Sequence, residues 1–270
     1  MTQQTNWVPT SVDFEKPSAA RLYDYLLGGN HNFAVDRAFA EKLMKMQPEA
    51  KRVAVNNRAF MRRAVLFMME QGIRQFLDLG SGIPTVGNVH EIAQEADPDA
   101  RVVYVDIENV AVAHSQLLLE GSDNAAMVHA DVAKPGLVLN DAQTRRLLDF
   151  DQPVGLLAVT IGHYILDEQD PFGVFDTYRD ALAPGSFLAI THFTNDFDIF
   201  DGDKLSNEMK QSQNNIRARS REEVLRLFGD FELVEPGLVT TSQWRPERPT
   251  DDEDTIVEQD GLYAGVGRKP

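Results

Sequence analysis

From residue 75 onward, short apolar runs alternate with amphipathic stretches, a pattern that predicts a parallel sheet covered by helices on both faces. The runs at 75–79, 101–106, 126–130, 154–160 and 186–192 read as strands. Between them, apolar residues recur at helical spacing near 84–96, 109–119, 141–149 and 171–182. In the first of these helices Val86, Val89, Ile92, Ala93 and Ala96 share a face. In the last, Val174, Phe175, Tyr178 and Leu182 do so behind an Asp170 N-cap and a Pro171 at the first helical position. A capping box, Ser220-x-x-Glu223, then opens a helix ending near Phe228, and strands at 231–243 and 261–268 finish the chain.

Ahead of residue 75 the pattern is helical. After a polar lead over 1–16, Pro17-Ser18 opens a short helix through Leu22, Tyr25 and Leu26, which stops at Gly28-Gly29. A second helix carries Phe39, Leu43 and Met46 on one side, and a longer one over 48–71 carries Val53, Phe60, Ala64, Phe67 and Met68. The stretch 194–219 is polar, with a helix expected over Leu205, Met209 and Ile216, and 246–260 reads as a long acidic connection. The expected fold is α/β, a Rossmann-like doubly wound sheet of seven strands. It is mostly parallel with an antiparallel C-terminal hairpin strand, and residues 1–48 form a helical extension to a single compact unit over 49–270.

Composition narrows the partners. With 270 residues and 43% hydrophobic content the chain can bury an ordinary core. A formal net charge of −16 argues against nucleic acid, whose phosphates are bound by clustered Lys and Arg. No apolar run approaches the roughly 18 residues of a membrane span, and the polar lead lacks a signal-peptide core, so the expectation is no membrane partner and a cytoplasmic location. Cysteine is absent, which removes disulfides, thiolate metal sites and cysteine nucleophiles. The run Asp251-Asp252-Glu253-Asp254 reads as a solvated loop, and Asp196, Asp198, Asp201 and Asp203 miss the spacing of a calcium loop, so no metal is expected.

The chemistry starts at 75–84, Gln-Phe-Leu-Asp-Leu-Gly-Ser-Gly-Ile-Pro, where an apolar strand carrying Asp78 breaks into a turn with Gly80 and Gly82 around Ser81. Glycines there let a ligand approach the main chain, and Pro84 suits the first position of the following helix. A fixed carboxylate at Asp78 would repel a dinucleotide pyrophosphate. It attracts S-adenosylmethionine instead, which has no phosphate and carries an ammonium and a sulfonium. Ligands of open parallel sheets sit beyond the carboxyl ends of the strands. Strand two ends at Asp106-Ile107, with Asp106 placed to accept both ribose hydroxyls and Asn109 left to cap the next helix. Strand three leads to Asp131-Val132, whose carboxylate and amide suit an adenine edge, although Asp131 also reads as an ordinary turn aspartate. Strand four ends at Thr160-Ile161-Gly162-His163, where Thr160 and Ile161 can flank the methionine part.

Asp78-x-Gly80-x-Gly82, Asp106, Asp131, the run from Leu182 to Thr191 and the capping-box helix before Phe231 resemble the class I S-adenosylmethionine-dependent methyltransferases over about residues 50–268. A narrower resemblance covers nearly the whole chain. It rests on Arg21-Leu-Tyr23-Asp-Tyr25, Gly28-Gly29-Asn-His-Asn32-Phe33-Ala-Val-Asp36-Arg37, Asn57-Arg58-Ala-Phe60 and Val234-Glu-Pro-Gly-Leu-Val239 with Trp244, and points to the bacterial S-adenosyl methyltransferase family, which has no established substrate. The resemblance implies the fold and the S-adenosyl-L-methionine cofactor. One departure is Pro84, which stands where the wider class often has a third glycine.

A small-molecule methyl acceptor is the default expectation. Adenine-N6 enzymes would show a Pro-Pro-aromatic run where this chain has Thr160-Ile-Gly-His-Tyr164. The N-terminal block reads as a lid in which Tyr23, Asn32, Phe33 and Arg58 close over the cofactor and Gly28-Gly29 is the hinge, or as helices that Tyr23 and Phe33 merely pack together. In-line methyl transfer relies on positioning, and a base is optional. His163, with Tyr164 beside it, is the first candidate and His192 the second, against the alternative of a histidine satisfied by a nearby carbonyl. Two other classes stay open: a non-catalytic S-adenosylmethionine sensor or partner-binding protein, and an NAD-dependent dehydrogenase, the latter weakened by Thr85 in the sixth place of Gly-x-Gly-x-x-Gly.

Overall fold

A computed structural model of the chain describes residues 13–84, 87–197, 207–210, 212, 214–247 and 260–270. Helices α1 (Ala19–Leu26), α2 (Ala34–Met46) and α3 (Ala50–Glu70) precede the sheet, where the apolar periodicity predicts them. Strands β1 (Gln75–Leu79), β2 (Arg101–Asp106), β3 (Ala125–His129), β4 (Gly155–Val159) and β5 (Phe187–Phe193) then alternate with α4 (Val89–Ala96), α5 (Asn109–Leu118), α6 (Pro135–Leu139), α7 (Ala142–Leu147) and α8 (Pro171–Asp180). The chain closes with α9 (Arg221–Phe228), β6 (Glu232–Leu233), β7 (Val239–Thr240) and β8 (Leu262–Arg268).

The strands form one sheet in the order β3-β2-β1-β4-β5-β8-β6, with β7 also paired to β8. Pairings from β3 to β5 are parallel, and those of β8 are antiparallel. The order runs outward from β1 to β2 and β3, then restarts on the other side with β4, which puts the topological switch point between β1 and β4. Residues alternate between two apolar layers: Leu77, Leu79, Val103 and Val105 face one, and Phe76, Val102, Tyr104 and Leu157 face the other. Asp78, in step with Phe76, therefore points toward the layer that α3 and α4 cover.

Four boundaries differ from the sequence expectation. The predicted strand 231–243 is two short strands on the same partner, because Pro236-Gly237 interrupts the ladder between them and proline has no N–H to donate. Among the described residues the sheet accordingly has eight strands rather than seven. Helix α4 starts at Val89 and not at Pro84: the Glu91 carboxylate accepts from the Gly87 and Asn88 amides (2.9 and 2.8 Å) and sets the start there. Helix α5 is capped by Glu108, whose Oε2 accepts from the Val110 and Ala111 amides (2.8 and 3.1 Å), so Asn109 is the first helical residue instead of the cap.

The fourth difference is that residues 214–219 are not helical. Leu205, Asp198, Asp201, Asp203, Val86 and the acidic run 251–254 lie outside the described residues. Among the described residues no helix is long and apolar enough to cross a membrane, and no three His, Asp or Glu side chains gather as a metal site.

Candidate cofactor and acceptor site

The turn after β1 is held by its neighbour strand. Gly80 and Ser81 both donate their amides to the Val105 carbonyl, at 2.8 and 3.0 Å. Gly80 and Gly82 have φ of +69° and +66°, which a side chain resists. A Cβ on Gly80 would lie 2.4 Å from Ile161 Cδ1, whereas one on Gly82 would enter open space. The Gly82 amide donates to Asp106 Oδ2 (2.8 Å), and the Glu108 amide donates to Asp106 Oδ1 (2.8 Å). Asp106 thus fastens the glycine turn to the end of β2, and each of its oxygens keeps a further lone pair for a ligand. Burial raises its pKa, while the amides of Glu108 and Gly82 draw it back.

Asp78 lies buried beneath this turn. Burial pushes its pKa up to about 7, the Arg58 guanidinium on α3 opposes the rise and Asp106 adds to it. Asp131 Oδ1 accepts from the Ala133 amide (2.9 Å), the geometry of a turn aspartate, and its other oxygen lies 3.4 Å from Lys134 Nζ. Among the described residues the Val132 amide between them has no partner. Ile107 is 57% exposed and presents an apolar side chain beside the buried Asp106 carboxylate.

A cleft of about 360 Å³ opens over these groups. Its wall includes Asp78, Gly80, Ser81, Gly82, Asp106, Ile107, Asp131, Val132, Thr160 and Ile161 from the strand ends, Tyr23 and Arg58 from the helices above, and His163 with Tyr164. Two expected members are elsewhere. Asn32 donates to Asp24 Oδ2 (2.8 Å) and the Gly29 carbonyl (2.9 Å), and Phe33 packs against Phe14 and the Arg21 guanidinium, with centroid distances of 4.8 and 4.9 Å. Both stabilise the α1–α2 loop from behind, because the buried Asp24 carboxylate draws that loop toward α1. A ligand with an adenosyl part fits what is present: an open space at Gly82, unused acceptor capacity on Asp106, a Val132 amide to spare and an exposed apolar cover at Ile107.

Sequence reasoning missed a polar chain joining the helices to the sheet. Asn57 on α3 donates to the Tyr23 hydroxyl (2.8 Å) and accepts from Thr191 Oγ1 (2.7 Å), which itself accepts from the Thr160 amide (2.8 Å). The Tyr23 hydroxyl in turn donates to the Ala54 carbonyl (3.1 Å). Thr160 is held at φ +55°, where a β-branched residue is strained by about 1–3 kcal/mol, and it sits where the cleft meets β4. Asn57 stands in the quoted helix pattern, but nothing in one sequence ties it to Thr191.

The two candidate histidines separate. His192 is the satisfied one: Nδ1 donates to the Phe193 carbonyl (2.8 Å) and Nε2 accepts from Arg219 (3.0 Å), and burial lowers its pKa to about 3. His163 is also buried, yet among the described residues neither ring nitrogen has a hydrogen-bond partner. Burial, helped by His192 and Arg219, holds its pKa well below the ordinary value, so it is neutral at physiological pH. Tyr164 has its pKa raised, first by burial and then by Asp106 and Tyr23, and stays protonated. Arg219, also unforeseen, is buried and binds the Gly162 and Ile165 carbonyls and Asp167, which clamps the loop carrying His163.

The model of a family described as S-adenosyl methyltransferase matches residues 5–270. A candidate methyltransferase from Thermobifida fusca superposes with a TM-score of 0.91 at 44% identity, covering 98% of this chain and 99% of that one. A DUF574-family protein from Streptomyces avermitilis does so with a TM-score of 0.90 at 36% identity, covering 96% and 99%. No curated protein matches. With the family model spanning nearly all of it, and with those two folds superposing over nearly their full lengths, the chain belongs to the S-adenosyl methyltransferase family.

Proposed function

We propose that this S-adenosylmethionine-dependent methyltransferase methylates a small molecule held between the strand ends and the N-terminal helices. The observation that carries the reading is the single cleft in which Asp78, Gly82, Asp106 and Asp131 share a wall with Tyr23, His163 and Tyr164. Asp106 and the Gly82 turn hold the ribose, Asp131 and the Val132 amide read the adenine edge, Ile107 covers its face, and Asp78 with Thr160 and Ile161 receives the methionine part. S-adenosylmethionine, when bound, supplies an electrophilic methyl group on a sulfonium. The protein's share is positioning and dryness: Tyr23, Tyr164 and the helices above exclude water and fix the acceptor's approach. His163, its ring nitrogens without a partner among the described residues, is the wall's candidate proton acceptor, and its burial-lowered pKa makes it a weak one, suited to an acceptor that loses its proton readily or not at all.

Residues 19–47 act in this reading as a lid joined to the sheet through Tyr23, Asn57 and Arg21, with Asn32 and Phe33 as its internal braces. Titration calorimetry with S-adenosylhomocysteine and with NAD tests the cofactor assignment, which tight binding of NAD alone would overturn. Labelled-methyl transfer into a metabolite extract tests the acceptor class: a labelled small molecule is expected, and label found solely in protein would contradict it.

A further inference from the structure

The cleft has two ends of opposite character. Among the described residues of its wall the charged ones are Arg58, Asp78, Asp106, Glu108 and Asp131, and all five belong to the glycine turn, the strand ends or the groups beside them. The other end is walled by Leu22, Leu43, Val53, Met209, Ile216 and Leu262, which form one buried apolar cluster. Its titratable residues carry no charge at neutral pH: burial raises Tyr23 and Tyr164 and lowers His163. Among the described residues two polar side chains there lack partners. The Gln47 carboxamide, at the end of α2, borders the cleft without a hydrogen bond, and both nitrogens of His163 are buried without one. A buried polar group without a partner costs free energy unless a ligand or water completes it.

Building on the function proposed above, we infer that the acceptor is an uncharged, mainly apolar molecule seated between α1, α2 and the segment of Met209 and Ile216, with Gln47 and His163 as its hydrogen-bonding contacts. An acceptor carrying a carboxylate or an ammonium would lose its hydration with no counter-charge among the described residues of that end, a loss that an apolar wall cannot offset. A neutral ring or chain instead gains from burial in the same space.

The test uses three probes of one shape on the full chain saturated with S-adenosylhomocysteine: 2-naphthol, 2-naphthoate and 2-naphthylmethylammonium, each titrated calorimetrically at neutral pH. The naphthol is expected to bind at least about tenfold more tightly than either ion. Equal or tighter binding of an ion overturns the inference, and so does failure of all three to bind at millimolar concentration. Gln47→Lys, checked for folding by circular dichroism, is expected to reverse the order and favour naphthoate; a folded variant that still prefers naphthol removes Gln47 from the contact. S-adenosylhomocysteine is titrated first and alone. Failure of the underlying reading therefore shows as no cofactor binding, and failure of this inference as cofactor binding with the wrong probe order.

Discussion

The floor of the cleft and its helical roof are built by different means. On the floor, Asp106 and Asp131 are held by main-chain amides close to them in space and mostly in sequence: Gly82 and Glu108 on Asp106, Ala133 on Asp131. The roof is fastened by long side-chain links. Arg21, fully buried on α1, reaches Asp36 (2.7 Å), Glu108 (3.0 Å) and the Lys16 carbonyl (2.7 Å), so one guanidinium ties α1 to α2 and to the β2–α5 turn. A floor made of backbone turns tolerates changes beside it. A roof fastened through a buried cation does not.

Arg21→Leu is accordingly expected to have the largest effect. It leaves the Asp36 carboxylate, wholly buried, without its cation, which costs about 3–5 kcal/mol of stability. The expected result is a clearly lowered urea midpoint, and an unchanged midpoint would erase the contrast between floor and roof. Asp106→Ala comes next, at the point where the two regions meet through Glu108. It removes the ribose acceptor and frees the Gly82 amide, so the affinity for S-adenosylhomocysteine is expected to fall at least about tenfold by calorimetry, with the fold retained. Unchanged affinity would mean that Asp106 is a structural pin alone.

The same contrast explains what was legible in the sequence. Asp78, Gly80, Gly82, Asp106 and Asp131 were readable because strand periodicity places each at a carboxyl end, where the backbone itself defines the site. Helices α1 to α3 were readable as elements for a similar reason, since the periods of Leu22, Leu43 and Phe60 report burial. What the roof contacts was not readable: the partners Arg21–Glu108 and Asn57–Thr191 are 87 and 134 positions apart and leave no local pattern. Asn32 and Phe33 misled for that reason, as their turn-like neighbourhood gives no sign that Asp24 and Arg21 claim them from behind. The late start of α4 shows competition between signals, in which the Glu91 carboxylate bonding two amides outweighs proline's fixed φ.

Asp78 offers a pH test confined to the floor. Its folded pKa of about 7 lies above the unfolded value of roughly 4, so the native state holds more protons between those limits. The Asp78 contribution to stability therefore declines as pH rises from about 4 to about 7 and is level above that. Binding of a cationic ligand has the opposite slope, because it favours the ionised carboxylate. Between pH 6 and pH 8 the ionised fraction rises roughly tenfold, and the affinity for S-adenosylmethionine is expected to rise by about the same factor. Asp78→Asn should flatten that rise, and a slope that survives the substitution would assign the titration to another group.

The smallest effect separates the two glycines of the turn. Both have positive φ, so alanine at either one carries a backbone penalty on the order of 1 kcal/mol. Gly80→Ala adds a collision with Ile161, 2.4 Å from the new Cβ, and is expected to lower stability further by displacing a side chain that lines the cleft. Gly82→Ala meets nothing within 4 Å and should unfold close to the wild-type midpoint, at little more than the backbone cost. Its methyl group enters the open space reserved for the ligand, so its expected loss is in S-adenosylhomocysteine affinity and exceeds its loss in stability. Paired denaturation and calorimetry on the two variants decide the matter: if Gly82→Ala binds as tightly as the wild type, the open space beside Gly82 is not where the cofactor lies, and the floor has been drawn too close to the turn.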